Sequence, residues 1–196
     1  MYTLIGSTKT RALRVSWMLE ELGQDYTQMQ AGPGSPEARA HNPLGKIPAL
    51  VDGDATLTDS VAIMTYLADK HGALTAPAGT PARARQDAMM LWIIDEMDAL
   101  LWTLTKHTAI LPEDVRVPDI ARGLQAEYAK SLAVLSERLG DGPFLMGEEI
   151  SVPDLLAVHC LGWGHMTRLA QMDDRLKAWA KGLRARPAYE RALARV

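Results

Sequence analysis

Three short runs bring together residue types that can hold and activate a small ligand. The first is Gly6-Ser7-Thr8-Lys9-Thr10-Arg11, where a strand-like run over residues 2–6 gives way to a helical pattern. A helix N-terminus offers unpaired N–H groups and partial positive charge, which stabilise an anion. The same surroundings lower a thiol's pKa below its reference of about 8.5. A hydroxyl of Ser7, Thr8 or Thr10 could donate to a thiolate bound there. Equally, it could do no more than cap the helix.

The second run is Asn42-Pro43-Leu44-Gly45-Lys46-Ile47-Pro48-Ala49-Leu50. A proline directly before a short strand cannot donate to the ladder. With a cis Ile47–Pro48 bond, the turn would expose the Ile47 backbone to an extended ligand; the plain alternative is an ordinary turn. The third run is Leu57-Thr58-Asp59-Ser60-Val61-Ala62-Ile63. Ser60 and neighbouring N–H groups could hold a carboxylate, and Asp59 could accept from an ammonium group. Together they would grip an amino-acid headgroup, although Asp-Ser before an apolar run also serves as a cap.

These runs need elements to position them. The apolar set Leu13, Trp17, Leu19 and Leu22, with Glu20-Glu21 opposite, predicts an amphipathic helix from about Thr10 to Leu22, ended by Gly23. Tyr26–Met29 reads as a second strand and Pro36–Ala40 as a short helix. Pro48–Val51 and Thr56–Thr58 flank Asp52-Gly53-Asp54, a hairpin signal. Asp59 or Ser60 then caps a helix to His71, with Gly72 as its stop. The order strand-helix-strand-helix-strand-strand-helix is that of an α/β thioredoxin-like module, residues 1–72. Pro77, Gly79 and Pro81 mark 73–81 as a linker. Residues 82–196 read as an all-α helical bundle, with helices over Arg83–Thr108, Ile120–Leu139, Pro153–Met166, Asp174–Arg184 and Pro187–Ala194.

Composition narrows the function further. The 196 residues are 47% hydrophobic and 23% charged, ordinary for a globular chain. A net charge of −3 with no strongly basic half argues against a nucleic-acid partner. No apolar run approaches the roughly 18 residues of a membrane span. The start lacks a basic stretch followed by an apolar signal segment, so the expected address is the cytoplasm. The single cysteine, Cys160, lies in an apolar helix and reads as a small hydrophobe. His159 and His165 do not share a helical face, so they predict no metal pair. Asp95, Glu96 and Asp98 read as a solvated or subunit-facing stripe, and Trp92, Trp102, Trp163 and Met166 as core. The arginine-rich tail from Arg184 to Arg195 reads as a solvated helix face.

In order and spacing, the sequence resembles the glutathione S-transferase family over essentially its whole length, in the cytosolic, bacterial-like Ser/Thr variety. The residues that carry the resemblance are Gly6-Ser7 and Arg14-Val15 with Leu19-Glu20-Glu21-Leu22-Gly23, the Asn42–Leu50 run, and Thr58-Asp59-Ser60-Val61-Ala62-Ile63. Ser151-Val152-Pro153-Asp154 resembles the family's capping box. The resemblance implies a cis Pro48, pairing of the Ile47 backbone with the cysteinyl part of glutathione, and binding of the γ-glutamyl end by Asp59 and Ser60. It brings Lys46 towards the glycine carboxylate and places the thiol at the start of the first helix. Thr10, ahead of Ser7, is the candidate activating hydroxyl, because it falls where many bacterial members carry serine. An acidic residue such as Asp98 can reach across a dimer to glutathione.

The activity so implied is attack of the glutathione thiolate on a small apolar electrophile. Glutathione enters as co-substrate, with no permanent cofactor, no metal, and a homodimer as the assembly. The rivals are a non-catalytic binding or interaction protein, and a glutathione-dependent reductase or isomerase on the same fold.

Overall fold

The computed structural model describes residues 1–195. Two compact units emerge: Met1–Arg83 together with the chain from Leu183 onward, and Ala84–Gly182.

The first unit is built on a four-stranded sheet in the order β2-β1-β3-β4, from β1 (Tyr2–Ile5), β2 (Tyr26–Met29), β3 (Ala49–Asp52) and β4 (Ala55–Thr58). β1 and β2 run parallel, as a helical crossover between them allows, while β3 and β4 add antiparallel. The crossover is α1 (Ala12–Glu21); α2 (Pro36–His41) and α3 (Ser60–His71) complete the layer. Leu4, Ile5 and Leu50 of the sheet and Val15, Met18, Leu19, Ile63, Met64 and Leu67 of the helices are fully buried. Each such aliphatic side chain contributes about 1.5–3 kcal/mol of burial.

Helix ends match their local chemistry. Asp59 caps α3 by accepting from the Val61 and Ala62 N–H groups at 2.8 and 3.1 Å, and Gly72 closes it in the left-handed conformation. Ser35 caps α2 through the Ala38 N–H. The hairpin differs by one residue from the sequence pattern. Asp52 pairs with Ala55, so it ends β3 and the loop is Gly53-Asp54, with Gly53 at φ +59°.

In the second unit the single helix expected over 83–108 is α4 (Pro81–Ile93) and α5 (Ala99–Thr105), each followed by a π-helical turn, Ile94–Asp98 and Lys106–Ile110. A π turn adds a residue to the helical repeat and so changes which side chains face inward. Asp95 and Glu96 stay exposed, whereas Met97 and Asp98 are buried. α6 (Ile120–Leu139) and α7 (Val152–Thr167) follow the expected ranges closely. Asp154 closes the capping box at α7, accepting from the Ser151 N–H and hydroxyl and from the Leu145 N–H at 2.8–2.9 Å. Tyr128 packs on Gly164, where a Cβ would collide with its ring, and donates to the Cys160 carbonyl. No helix of the described residues is long and apolar enough to cross a membrane.

α8 (Asp174–Arg184) and α9 (Pro187–Ala194) have the expected ranges, but α9 belongs to the first unit. It packs along α1, with the Tyr189 ring edge-on to Trp17 at 4.8 Å. The arginine tail keeps Arg191 and Arg195 exposed, as a solvated face would, yet it also forms ion pairs with α1. Arg186 forms a two-bond ion pair with Glu21, and Arg191 and Arg195 pair with Glu20.

Candidate functional site

The sheet register explains why three distant runs share one place. Ile5 of β1 pairs with Ala49 of β3, and Ala49 pairs with Thr58 of β4. The Gly6-Ser7 turn leaves the sheet immediately after this rung, Ile47–Pro48 enters it just before, and Asp59-Ser60 follows directly. Adjacent strands lie about 4.8 Å apart, so the three runs occupy one edge of about 10 Å.

At the first run, Gly6 has φ +134° and its α-carbon lies so close to Ala12 and Ile47 that a Cβ there would clash. Only glycine allows this turn. Its carbonyl accepts from Gln28 Nε2 at 2.7 Å and its N–H donates to the Met29 carbonyl, which pins the turn to β2. The Thr10 hydroxyl donates to the Ser7 carbonyl at 2.7 Å and accepts from the Ala12 N–H. The Ser7 hydroxyl accepts from the Lys9 N–H at 3.3 Å. The two hydroxyls thus differ: the Thr10 proton is directed inward, while Ser7 acts only as an acceptor within the turn. No acidic residue occupies the first turn of α1, so the positive helix end is uncompensated there.

At the second run the Ile47–Pro48 peptide bond is cis. The Ile47 side chain packs on a small core of Ile5, Ala31, Ala38 and Ala49, leaving its main chain at the edge. Asn42 braces the loop: its side chain accepts from the Leu44 N–H and donates to the Lys46 carbonyl. Arg39 ties the Gly34 and Pro43 carbonyls together. Lys46 is exposed beside this loop.

At the third run Asp59 holds φ +71°, a left-handed value uncommon for a non-glycine residue. The carboxylate Oδ1 takes both capping bonds, so Oδ2 makes neither. Ser60 is 3% exposed, and its hydroxyl accepts from Nη1 of Arg14, itself 1% exposed, at 3.3 Å. Arg14 appeared in the sequence only as an alignment landmark. A charged residue at a position where the helical pattern demands burial was the signal for its role. Gln28, Asn42 and Arg39 are likewise bracing residues that the motif pattern does not single out.

Two readings of other residues change. Asp98, read as part of a solvated stripe able to reach another subunit, is 6% exposed and buried within the helical unit. Its charge there helps raise the Tyr128 hydroxyl, after the larger effect of burial. Met166, read as core, is exposed.

Comparison with known proteins agrees with this architecture. Residues 10–77 match the model of the glutathione S-transferase N-terminal domain, and residues 104–187 that of the C-terminal domain. The chain is 33% identical over 187 residues to glutathione S-transferase 4 of Zea mays, covering 87% of this chain and 81% of that protein. It is 28% identical over 196 residues to the disulfide-bond oxidoreductase YfcG of Escherichia coli, covering 92% and 88%. Among solved structures it resembles the glutathione transferase URE2P6 of Phanerochaete chrysosporium in complex with oxidized glutathione. The TM-score is 0.85 at 25% identity, over 98% of this chain and 94% of that one.

Proposed function

Since the chain belongs to the glutathione S-transferase family, we propose that it binds reduced glutathione along the Gly6, Ile47 and Ser60 edge and conjugates it through its thiolate to a small apolar electrophile. The observation that carries the reading is the single rung Ile5–Ala49–Thr58, from which all three ligand-binding runs project.

The γ-glutamyl end lies at the start of α3. Its carboxylate takes the Ser60 hydroxyl and main-chain N–H, and its ammonium faces the Asp59 oxygen that makes no capping bond. The cysteinyl part pairs with the Ile47 main chain, and Lys46 meets the glycine carboxylate. The thiol then reaches the N-terminal turn of α1. Its proton leaves to solvent, and the thiolate is held by the helix end and a hydroxyl donor. Ser7 and Thr10 are the candidates, and the inward-directed proton of Thr10 favours Ser7 as donor. The sulfur attacks an electrophilic carbon, forming the C–S bond as the leaving group departs with the electron pair. Positioning and thiolate stabilisation supply the rate, with no covalent enzyme intermediate.

The reading includes a homodimer in the cytoplasm. Similarity to YfcG favours a second reading, in which the same thiolate attacks a disulfide sulfur, forming a mixed disulfide and releasing a thiolate. Turnover of glutathione with a chloronitrobenzene against a small disulfide separates the two. Conjugation supports the transferase, reduction alone the second reading, and neither reaction leaves a glutathione-binding protein.

A further inference from the structure

We infer that Arg191 of α9 and Arg186 and Arg195, which flank that helix, are positioning residues for the thiol-binding turn, acting through α1 and β2. The inference rests on the glutathione site proposed above and adds to it a group of residues remote from the ligand.

The C-terminal half of α1 carries two adjacent carboxylates, and both side chains are only 7% exposed. Arg186 binds Glu21 through two bonds at 2.6 and 2.8 Å. Arg191 binds Glu20 at 2.7 Å and Arg195 binds the same carboxylate at 3.0 Å. Burial pushes Glu20 up, but the bonds from Arg191 and Arg195 outweigh it and hold the carboxyl below its ordinary range. Glu21 also accepts from the Trp17 indole at 2.9 Å, with Tyr189 of α9 against the same ring. The C-terminal half of α1, from Trp17 to Glu21, is therefore clamped by these contacts.

A second route leads through the sheet. Arg195 donates to the Tyr26 carbonyl at the start of β2 and stacks over the Tyr26 ring at 4.4 Å. The Tyr26 hydroxyl bonds Ser16 of α1 and donates to Glu20. At the far end of the same strand, Gln28 and Met29 hold both main-chain groups of Gly6, the residue before Ser7. The tail thus meets the element that begins at the thiol turn and the strand that fixes that turn.

The test uses two full-length variants that remove the ion pairs without leaving a buried unpaired charge. They are Glu21→Gln with Arg186→Met, and Glu20→Gln with Arg191→Met and Arg195→Met. Each is compared with wild type well below its unfolding temperature. The measurements are amide hydrogen exchange at residues 6–16, glutathione affinity by calorimetry, and ionisation of the bound thiol by thiolate absorbance. The expected result is faster exchange at Gly6–Ser16, a glutathione Kd raised roughly three- to tenfold, and a bound-thiol pKa moved toward that of free glutathione. A purely structural clamp would lower the unfolding temperature and leave thiol ionisation unchanged, which would overturn the inference. If wild type itself binds no glutathione, the site reading fails separately. Exchange at residues 6–16 then decides the clamp alone, and unchanged protection there would refute it.

Discussion

Arg14 and Ser60 lie 46 residues apart in the chain, yet the Arg14 guanidinium donates to the Ser60 hydroxyl at 3.3 Å with both side chains buried. This bond joins the first helix to the start of the third, so the two helix ends proposed to hold glutathione are fixed relative to one another. It also orients the Ser60 hydroxyl: with one lone pair occupied by Arg14, the Ser60 proton is free to point at a ligand carboxylate. Replacing Ser60 by Ala is expected to weaken glutathione binding by about 1–2 kcal/mol. Arg14→Met acts in the same direction, and the double variant loses little more than the greater single loss, because both changes remove one arrangement. Calorimetric Kd values for the four proteins check this. Fully additive losses would show that Arg14 does not act through Ser60.

Asp59 serves two purposes that one substitution separates. Its carboxylate caps α3, and asparagine caps nearly as well, so Asp59→Asn is expected to leave stability within about 0.5 kcal/mol. The charge facing the ligand ammonium is lost, and glutathione binding weakens by about 2 kcal/mol. Denaturant unfolding and calorimetry on the same sample read both effects. Unchanged affinity would remove Asp59 from the ammonium site.

The activating hydroxyl is decided by comparing Ser7→Ala with Thr10→Ala. Thr10 is committed to the Ser7 carbonyl and the Ala12 N–H, so its loss is expected to loosen the helix start by about 1 kcal/mol. Ser7→Ala is expected to raise the bound-thiol pKa and lower turnover by about tenfold or more, with stability little changed. A larger turnover loss in Thr10→Ala would reverse the assignment.

Much of this arrangement was legible in the sequence. The strand and helix order, a cap at Asp59 or Ser60 and the Gly72 stop follow from short-range chemistry, and the family resemblance pointed to the Asp154 capping box; the structure has the order, the stop and the box, and gives the cap to Asp59. What was not legible depends on long-range contact. Arg186, Arg191 and Arg195 look solvated until Glu20 and Glu21 are seen beneath them, because i,i+4 spacing says nothing about residues 165 or more positions away. Asp98 looked exposed because it was grouped by charge with Asp95 and Glu96, although its spacing from Ile94 and Leu101 sets it beside the apolar positions. Arg14 entered only as a landmark of the resemblance, and neither its burial nor its bond to Ser60 was read from the sequence.

Asp154 supplies a pH signature for the helical unit. Burial pushes its carboxyl up to about 6, against the lowering effect of the Leu145 and Ser151 hydrogen bonds. The native state therefore holds a proton that the unfolded chain has already released between its ordinary value near 3.8 and about 6. Its contribution is fully present below about 4 and is lost as pH rises through 6. Asp154→Asn is expected to remove that part of the slope when unfolding free energy is followed from pH 4 to 7. An identical slope in the variant would contradict the shift.

The account turns on glutathione binding as a thiolate at the edge formed by Gly6-Ser7, Ile47–Pro48 and Asp59-Ser60. The most direct measurement is calorimetric titration of the purified protein with reduced glutathione near neutral pH, in two buffers of different ionisation enthalpy. Saturable binding whose heat changes with the buffer, showing net proton release, is the predicted result. Absence of binding at millimolar glutathione, or binding with no proton release, would contradict it.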